Sequence, residues 1–294
     1  MKIFITGGSG QVGFELQRTL SVFGECFAPT PEQLDLADQQ AVATYLQQLQ
    51  PSIIVNAAAY TAVDKAESEP ELAERLNAEL PEQLAAYCAQ HNIWLVHYST
   101  DYVYDGSGEA ARAEDHPTAP LSVYGASKLR GDQAIERSGA AHYIFRTSWV
   151  YGARGHNFVK TMLRLGREKE YLTIVNDQVG APTTARLIAQ VTAQAVAQRA
   201  QDKVGVYHLT TRETCSWQQF AQEIFIQAQQ LGMPLVITPQ AVEGIPTSSY
   251  PTPAQRPLNS RLQLEKLETT FQLTMPNWQS QLRLVLAEIC EYQG

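Results

Sequence analysis

Lys2-Ile3-Phe4-Ile5-Thr6-Gly7-Gly8-Ser9-Gly10-Gln11-Val12-Gly13 decides the fold of this chain. The first five residues read as a short buried strand that runs straight into glycines. Phe14 to Leu20 then carry apolar residues at helical spacing. Within a strand, turn and helix, the pattern Gly7-x-x-Gly10-x-x-Gly13 acquires a physical meaning. Gly7 permits the tight turn, Gly10 lets backbone approach a pyrophosphate, and Gly13 lets the helix pack closely. The free N–H groups and partial positive charge of the helix N-terminus favour an anion there. The loop is therefore expected to bind a dinucleotide.

Apolar strands and helices alternate beyond it. Strands are expected over 25–28, 52–56, 94–98 and 143–146, with helices over 41–50 and 81–90 between them. This alternation predicts an α/β chain, a Rossmann-like doubly wound parallel sheet covered on both faces. Ligands in such sheets lie beyond the carboxyl ends of the strands. Those ends are Ala57-Ala58-Ala59, Ser99-Thr100-Asp101 and Thr147-Ser148-Trp149, all small or polar apart from the tryptophan. After Trp149 the alternation fades. Helices over 187–199 and 217–231 surround short apolar stretches such as 204–209. Residues 1–150 are thus expected to form the nucleotide-binding domain. Residues 151–294 form mainly a smaller substrate-binding region, some segments of which return to the first. The segment 244–257, with Pro246, Pro251, Pro253 and Pro257, suits neither a helix nor a central strand and is expected to be an ordered loop.

Tyr124 and Lys128 stand four apart in Tyr124-Gly125-Ala126-Ser127-Lys128. On a helix they share a face, which places an ammonium beside a phenol. A tyrosine, with a pKa near ~10, hardly acts as an acid at neutral pH, and a neighbouring cation draws that value down. Alone, such a pair fits any solvated helix face. Together with Thr100, 24 residues earlier, and the glycine loop, it reads as an acid–base site.

The charge of −8 argues against nucleic acid or an anionic membrane as partner. A local cluster of helix N-termini and arginines can still hold a phosphate. Cys26, Cys88, Cys215 and Cys290 have no metal-ligand spacing and suit reduced thiols. No signal peptide is read at Met1, and no apolar run approaches the ~20 residues of a membrane span. A cytoplasmic location is expected.

The glycine spacing, Thr100, and Tyr124-x-x-x-Lys128 resemble the extended short-chain dehydrogenase/reductase family. Longer blocks are similar to the dTDP-4-dehydrorhamnose reductases within it: 56–67, 99–106, 146–152, 157–163, 176–183 and 250–257. The resemblance covers nearly the whole chain. It implies NADPH or NADH as cofactor and a nucleotide-sugar substrate whose C4 ketone is reduced, completing dTDP-L-rhamnose. It further implies Tyr124 as proton donor, Lys128 as holder of the nicotinamide ribose, and Thr100 as partner of the reacting oxygen. Gly10, Gln11 and Val12 would take the phosphates, and Asp35 and Leu36 the adenine side. Ala59, Tyr60, Thr61 and Tyr98 would line the cofactor groove. Thr100, Asp101 and Trp149 would meet the sugar, with Tyr102 and Val63 as further candidates that could equally be packing residues. Apart from the resemblance, the Arg256 guanidinium suits the diphosphate, since it binds phosphate oxygens in pairs, or is a surface arginine.

Some positions depart from the resemblance or leave it open. No acid that would select NAD follows the second strand, and no arginine that would select NADP. Some family members are described as dimers sharing a magnesium ion bound by glutamates, but Arg186 stands where one such glutamate is expected. No metal is therefore predicted, and monomer and homodimer both remain open. Glu288 and Glu291 read as a solvated face. A related dehydratase would carry a second carboxylate after Asp101, where this chain has Tyr102. An epimerase of the same fold and a non-catalytic regulatory subunit, similar to that of methionine adenosyltransferase, are the remaining alternatives.

Overall fold

The computed structural model describes residues 1–291. Six parallel strands make the main sheet: β1 (Lys2–Thr6), β2 (Glu25–Phe27), β3 (Ile53–Asn56), β4 (Trp94–Thr100), β5 (His142–Thr147) and β6 (Gly205–His208). Their order is β6-β5-β4-β3-β1-β2. The chain steps outward from β1 to β2, then returns across β1 to β3. The direction of winding thus reverses between β1 and β3, and a crevice opens there at their carboxyl ends.

Side-chain alternation shows why both faces are covered. Ile3, Ile5, Ile53, Val55, Val96, Tyr143 and Phe145 share one buried cluster with the helices Gln11–Leu20 and Ala185–Ala197. Phe4, Ile54, Leu95 and Ile144 point the other way, toward the helices Gln39–Leu49 and Leu80–His91. Strands buried on two sides lose the apolar–polar alternation and read as continuous apolar runs. The α/β sheet expected from the sequence is present.

The chain beyond Trp149 contributes to both cores. β6 pairs with β5, the helix Ala185–Ala197 packs on Gln11–Leu20, and Leu267 and Phe271 join the first cluster. A separate cluster forms around Val159, Leu163, Phe220, Ile224, Phe225, Trp278 and Leu282. It joins the helices Phe158–Glu168, Trp217–Gln230 and Trp278–Glu291. In the proline-rich segment, Gly244 and Ile245 belong to a strand, Val242–Ile245, paired with Leu172–Val175. The only regular structure assigned to the remainder is a short turn of helix, Thr247–Ser249. Among the described residues, no helix is long and apolar enough to cross a membrane.

Candidate active site

A cleft of about 850 Å³ opens over the carboxyl ends of β1, β3, β4 and β5. At one end lies the glycine loop. Gly7 has φ +65°, and a Cβ there would stand 2.8 Å from backbone atoms of Ala57 and Ala58. Gly13 is tighter, since its Cβ would meet the Gly7 carbonyl oxygen at 2.1 Å. Gly10 is open on its outer side, where only that same oxygen comes within 4 Å, at 3.2 Å. No side chain caps the helix Gln11–Leu20 that Gly10 begins, so its first N–H groups face the cleft unpaired. This cradle fits a diphosphate, and Gly13→Ala should destroy it. The added methyl forces helix and loop apart, costing about 1–3 kcal/mol of stability. Calorimetric titration with reduced nicotinamide dinucleotide is expected to show at least a tenfold weaker affinity, since a diphosphate at this helix end depends on backbone approach.

The loop after β3 is pinned from below. Asn77 sits in a π-helical turn, Arg75–Glu79. Its side chain accepts from the Tyr60 amide at 2.8 Å and donates to the Tyr60 carbonyl at 3.0 Å and to Ser127 Oγ at 3.1 Å. One buried amide therefore ties the loop to the helix Val123–Arg137. That helix starts at Ser122, whose hydroxyl accepts from the Gly125 amide. Gly125 lets it press on the chain after β4, because a Cβ would lie 2.3 Å from the Tyr102 carbonyl oxygen.

These contacts bring Tyr124 and Lys128 to the cleft beside Thr100. A hydrogen bond with Thr100 favours the Tyr124 phenolate, yet burial outweighs it and pushes the pKa up to about 12. The sequence led us to expect Lys128 to pull this value down. Instead the Lys128 amine turns inward, donating to the Tyr98 carbonyl at 2.6 Å and meeting His97 Nε2 at 3.1 Å. Burial lowers its own pKa to about 8, with Asp132 opposing.

Asp101 closes the floor. It is buried, its Oδ1 accepts from Thr100 Oγ1 at 3.1 Å, and its Oδ2 accepts from Ser260. Burial raises its pKa to about 6 against those two hydrogen bonds. A carboxyl whose pKa is raised on folding costs no stability below its ordinary value. The cost accumulates as pH climbs from the ordinary value to the raised one and is complete above it. The stability of Asp101→Asn relative to wild type is therefore expected to increase from pH 3.8 to about 6 and then level off. Thermal denaturation across that range measures it.

At the other end Trp149 adopts φ 49°, a left-handed conformation that side chains other than glycine rarely take. Gly180 makes room for it, since a Cβ there would touch the indole at 2.8 Å. Trp149 stacks on Trp217, ring centroids 3.6 Å apart and planes 11° from parallel. Trp217 Nε1 donates to Gln178, which itself donates to Thr247. Trp217 lines the cleft and was not anticipated, because 68 residues separate it from Trp149 (217 − 149).

The family model described as the RmlD substrate binding domain matches residues 1–290. The dTDP-4-dehydrorhamnose reductase of Escherichia coli K12 is 46% identical over 98% of both chains. This chain belongs to the dTDP-4-dehydrorhamnose reductase family. Among solved structures, the reductase from Clostridium acetobutylicum superposes with a TM-score of 0.91 at 35% identity, covering 98% of this chain and 99% of that one. The Bacillus anthracis reductase, in complex with NADP, gives 0.90 at 34% identity with the same coverage.

In this reductase-family chain, most of the residues expected at the site do line the cleft. Gly7, Gly10, Gln11, Val12, Asp35 and Leu36 face it at the nucleotide end. Ala59, Thr61, Val63 and Tyr98 border its middle, with Thr100, Asp101, Tyr102, Tyr124, Lys128 and Trp149 beyond. Three expected residues are not part of the lining. Gly13 is packed beneath the loop. The Tyr60 hydroxyl turns away to Glu69. The Arg256 guanidinium is held by both Asp64 oxygens, at 2.7 and 3.1 Å. Arg186 ion-pairs with Glu15 and with Glu288, at 3.0 and 2.9 Å. Glu288 is thus an ion-pair partner of Arg186 at a half-buried position, whereas Glu291 is exposed as expected. Nothing local in the sequence could show an arginine 102 residues away.

Proposed function

We propose that this chain reduces the C4 ketone of dTDP-4-dehydro-L-rhamnose to dTDP-L-rhamnose, using NADPH or NADH. The observation that carries this reading is the meeting of Thr100, Tyr124 and Lys128 in one cleft with an uncapped glycine-loop helix. Full-length similarity to dTDP-4-dehydrorhamnose reductases supports the choice of sugar. The reduced nicotinamide supplies the hydride when bound. The amides of Gln11 and Val12 would receive its diphosphate, with Gly10, whose own amide bonds the Gly7 carbonyl, allowing the close approach; Asp35 and Leu36 would flank its adenosine, and Lys128 would take the nicotinamide ribose. Thr100, once its hydroxyl turns from Asp101, would donate to the ketone oxygen, and Tyr124 would deliver the proton that converts the developing alkoxide into a hydroxyl. Asp101, Tyr102, Val63 and Trp149 border the sugar. Trp217 backs Trp149 and fixes the plane of its ring.

Arg256 is not needed in this account, because Asp64 already neutralises it. The absence of a second carboxylate at Tyr102 disfavours elimination chemistry. The same reading carries a cytoplasmic enzyme acting as a monomer or homodimer, which cell fractionation and light scattering would check. The functional test is the loss of reduced-nicotinamide absorbance with enzymatically generated dTDP-4-dehydro-L-rhamnose, followed by NMR of the product sugar. Turnover giving a rhamnosyl product supports the reading. No turnover with either cofactor, while a related nucleotide 4-keto-6-deoxysugar is reduced, would reassign the sugar.

A further inference from the structure

Lys128 ends a line of buried polar side chains whose other members the reduction itself does not call for. Thr6, Asn56, His97, Lys128 and Asp132 are each no more than 1% exposed. Their hydrogen bonds can be assigned by counting donors and acceptors. Thr6 Oγ1 accepts from the Ala58 amide at 3.1 Å, which frees its own proton for Asn56 Oδ1 at 2.6 Å. With its carbonyl so used, Asn56 offers its NH₂ group to His97 Nδ1 at 3.0 Å. A neutral imidazole carries one proton, so an accepting Nδ1 places that proton on Nε2.

Nε2 faces two groups, the Lys128 amine at 3.1 Å and Asp132 Oδ1 at 3.9 Å. That carboxylate oxygen has no hydrogen-bond partner, while its twin accepts from Ser99 and from Arg146. An unpartnered anionic oxygen beside Nε2 favours a proton there, in agreement with the orientation of Asn56. Across β5, His142 and Arg146 are the other groups that can carry charge near the ring. Burial, Lys128 and His142 all keep the imidazole neutral.

We propose that His97 is a positioning residue of the reduction, its ring set by Asn56 so that the Nε2 proton faces Lys128 and limits the pH range over which that lysine stays an ammonium. This rests on the reading of Tyr124 and Lys128 as the acid and its ribose-binding partner. An ammonium has three donors and no acceptor, whereas an amine has a lone pair to receive the N–H. His97 so oriented weakens the grip of Lys128 on its third proton. It thereby sets the upper pH at which the site keeps a cationic lysine.

The test has two parts. Nitrogen chemical shifts of ¹⁵N-histidine-labelled enzyme report the tautomer directly, with His97→Gln assigning the resonance. A protonated Nε2 and bare Nδ1 are expected; the opposite tautomer, or an imidazolium, overturns the inference. In parallel, the pH dependence of kcat is compared for wild type and His97→Gln. The glutamine can turn its carbonyl oxygen to Lys128 and so favour the ammonium, moving the alkaline limb upward by about one pH unit. A merely structural role would lower kcat equally at every pH and leave the limb in place, and that result also overturns the inference. Tyr124→Phe separates the two levels. If it is as active as wild type, the acid assignment falls and takes the inference with it. If it is inactive while the His97→Gln limb is unmoved, the inference alone falls.

Discussion

Tyr124→Phe is expected to lower kcat by roughly 10²–10⁴, which is about 3–5 kcal/mol of barrier. The ring remains, and with it the edge-to-face contact with Tyr102 at 5.5 Å. What leaves is the hydroxyl that shares a hydrogen bond with Thr100. Burial pushes the phenol up to about 12, so Tyr124 holds its proton throughout the neutral range. Affinity for the nicotinamide dinucleotide should be little changed, because the site proposed for its phosphates is the glycine loop at the far end of the cleft. A variant with unchanged kcat would assign the proton to another group, and Asp101 would be the next to test.

Arg146→Met should produce the largest loss of stability of any single change considered for this chain. Arg146 is 4% exposed and Asp132 not at all, and the guanidinium bonds the carboxylate at 3.2 Å. It also donates to Tyr104 Oη at 2.9 Å and to the Glu114 carbonyl. Removing one member of a buried pair strands the other, at a cost of about 3–5 kcal/mol. Asp132, already raised by burial, would rise further without its arginine. Its ionisation then opposes folding, so the deficit should grow as pH climbs above the ordinary carboxylate value. Urea denaturation at two pH values measures both effects. Equal stability at both would show that Asp132 remains paired, with Ser99 and Lys128 sufficing.

The sequence revealed those parts of the molecule whose chemistry is local. Gly7, Gly10 and Gly13 lie in seven consecutive residues, and each has a steric or binding reason visible in that window. Tyr124 and Lys128 are joined by helical spacing alone. Their electrostatics were misjudged for a physical reason: spacing gives the face a lysine occupies but not the partner its amine selects. Lys128 selects the Tyr98 carbonyl and His97, both on β4. His97 did leave a signal, as a basic residue inside the apolar run Trp94-Leu95-Val96-His97-Tyr98. A polar group in a doubly covered strand needs a buried partner, and asking for it would have led to Asn56. Trp217, Arg186 with Glu288, and Arg256 with Asp64 are pairings set by tertiary approach across long separations. No periodicity announces them. β6 was read as an apolar stretch without a place in the sheet, because four residues cannot specify which neighbour they will join.

That late arrival of β6 has a consequence during synthesis. Every residue of β5 is buried in the finished protein, and its outer side is sealed only by Gly205–His208. A nascent chain that has just released residue 150 carries this seam unsealed, with a row of free amides and carbonyls flanked by apolar side chains. Such an edge is a template for any other extended chain. A fragment ending there is expected to self-associate, visible as light scattering, whereas one reaching beyond residue 208 should not. The ribosome must therefore deliver more than fifty further residues before the first core is safe from its neighbours.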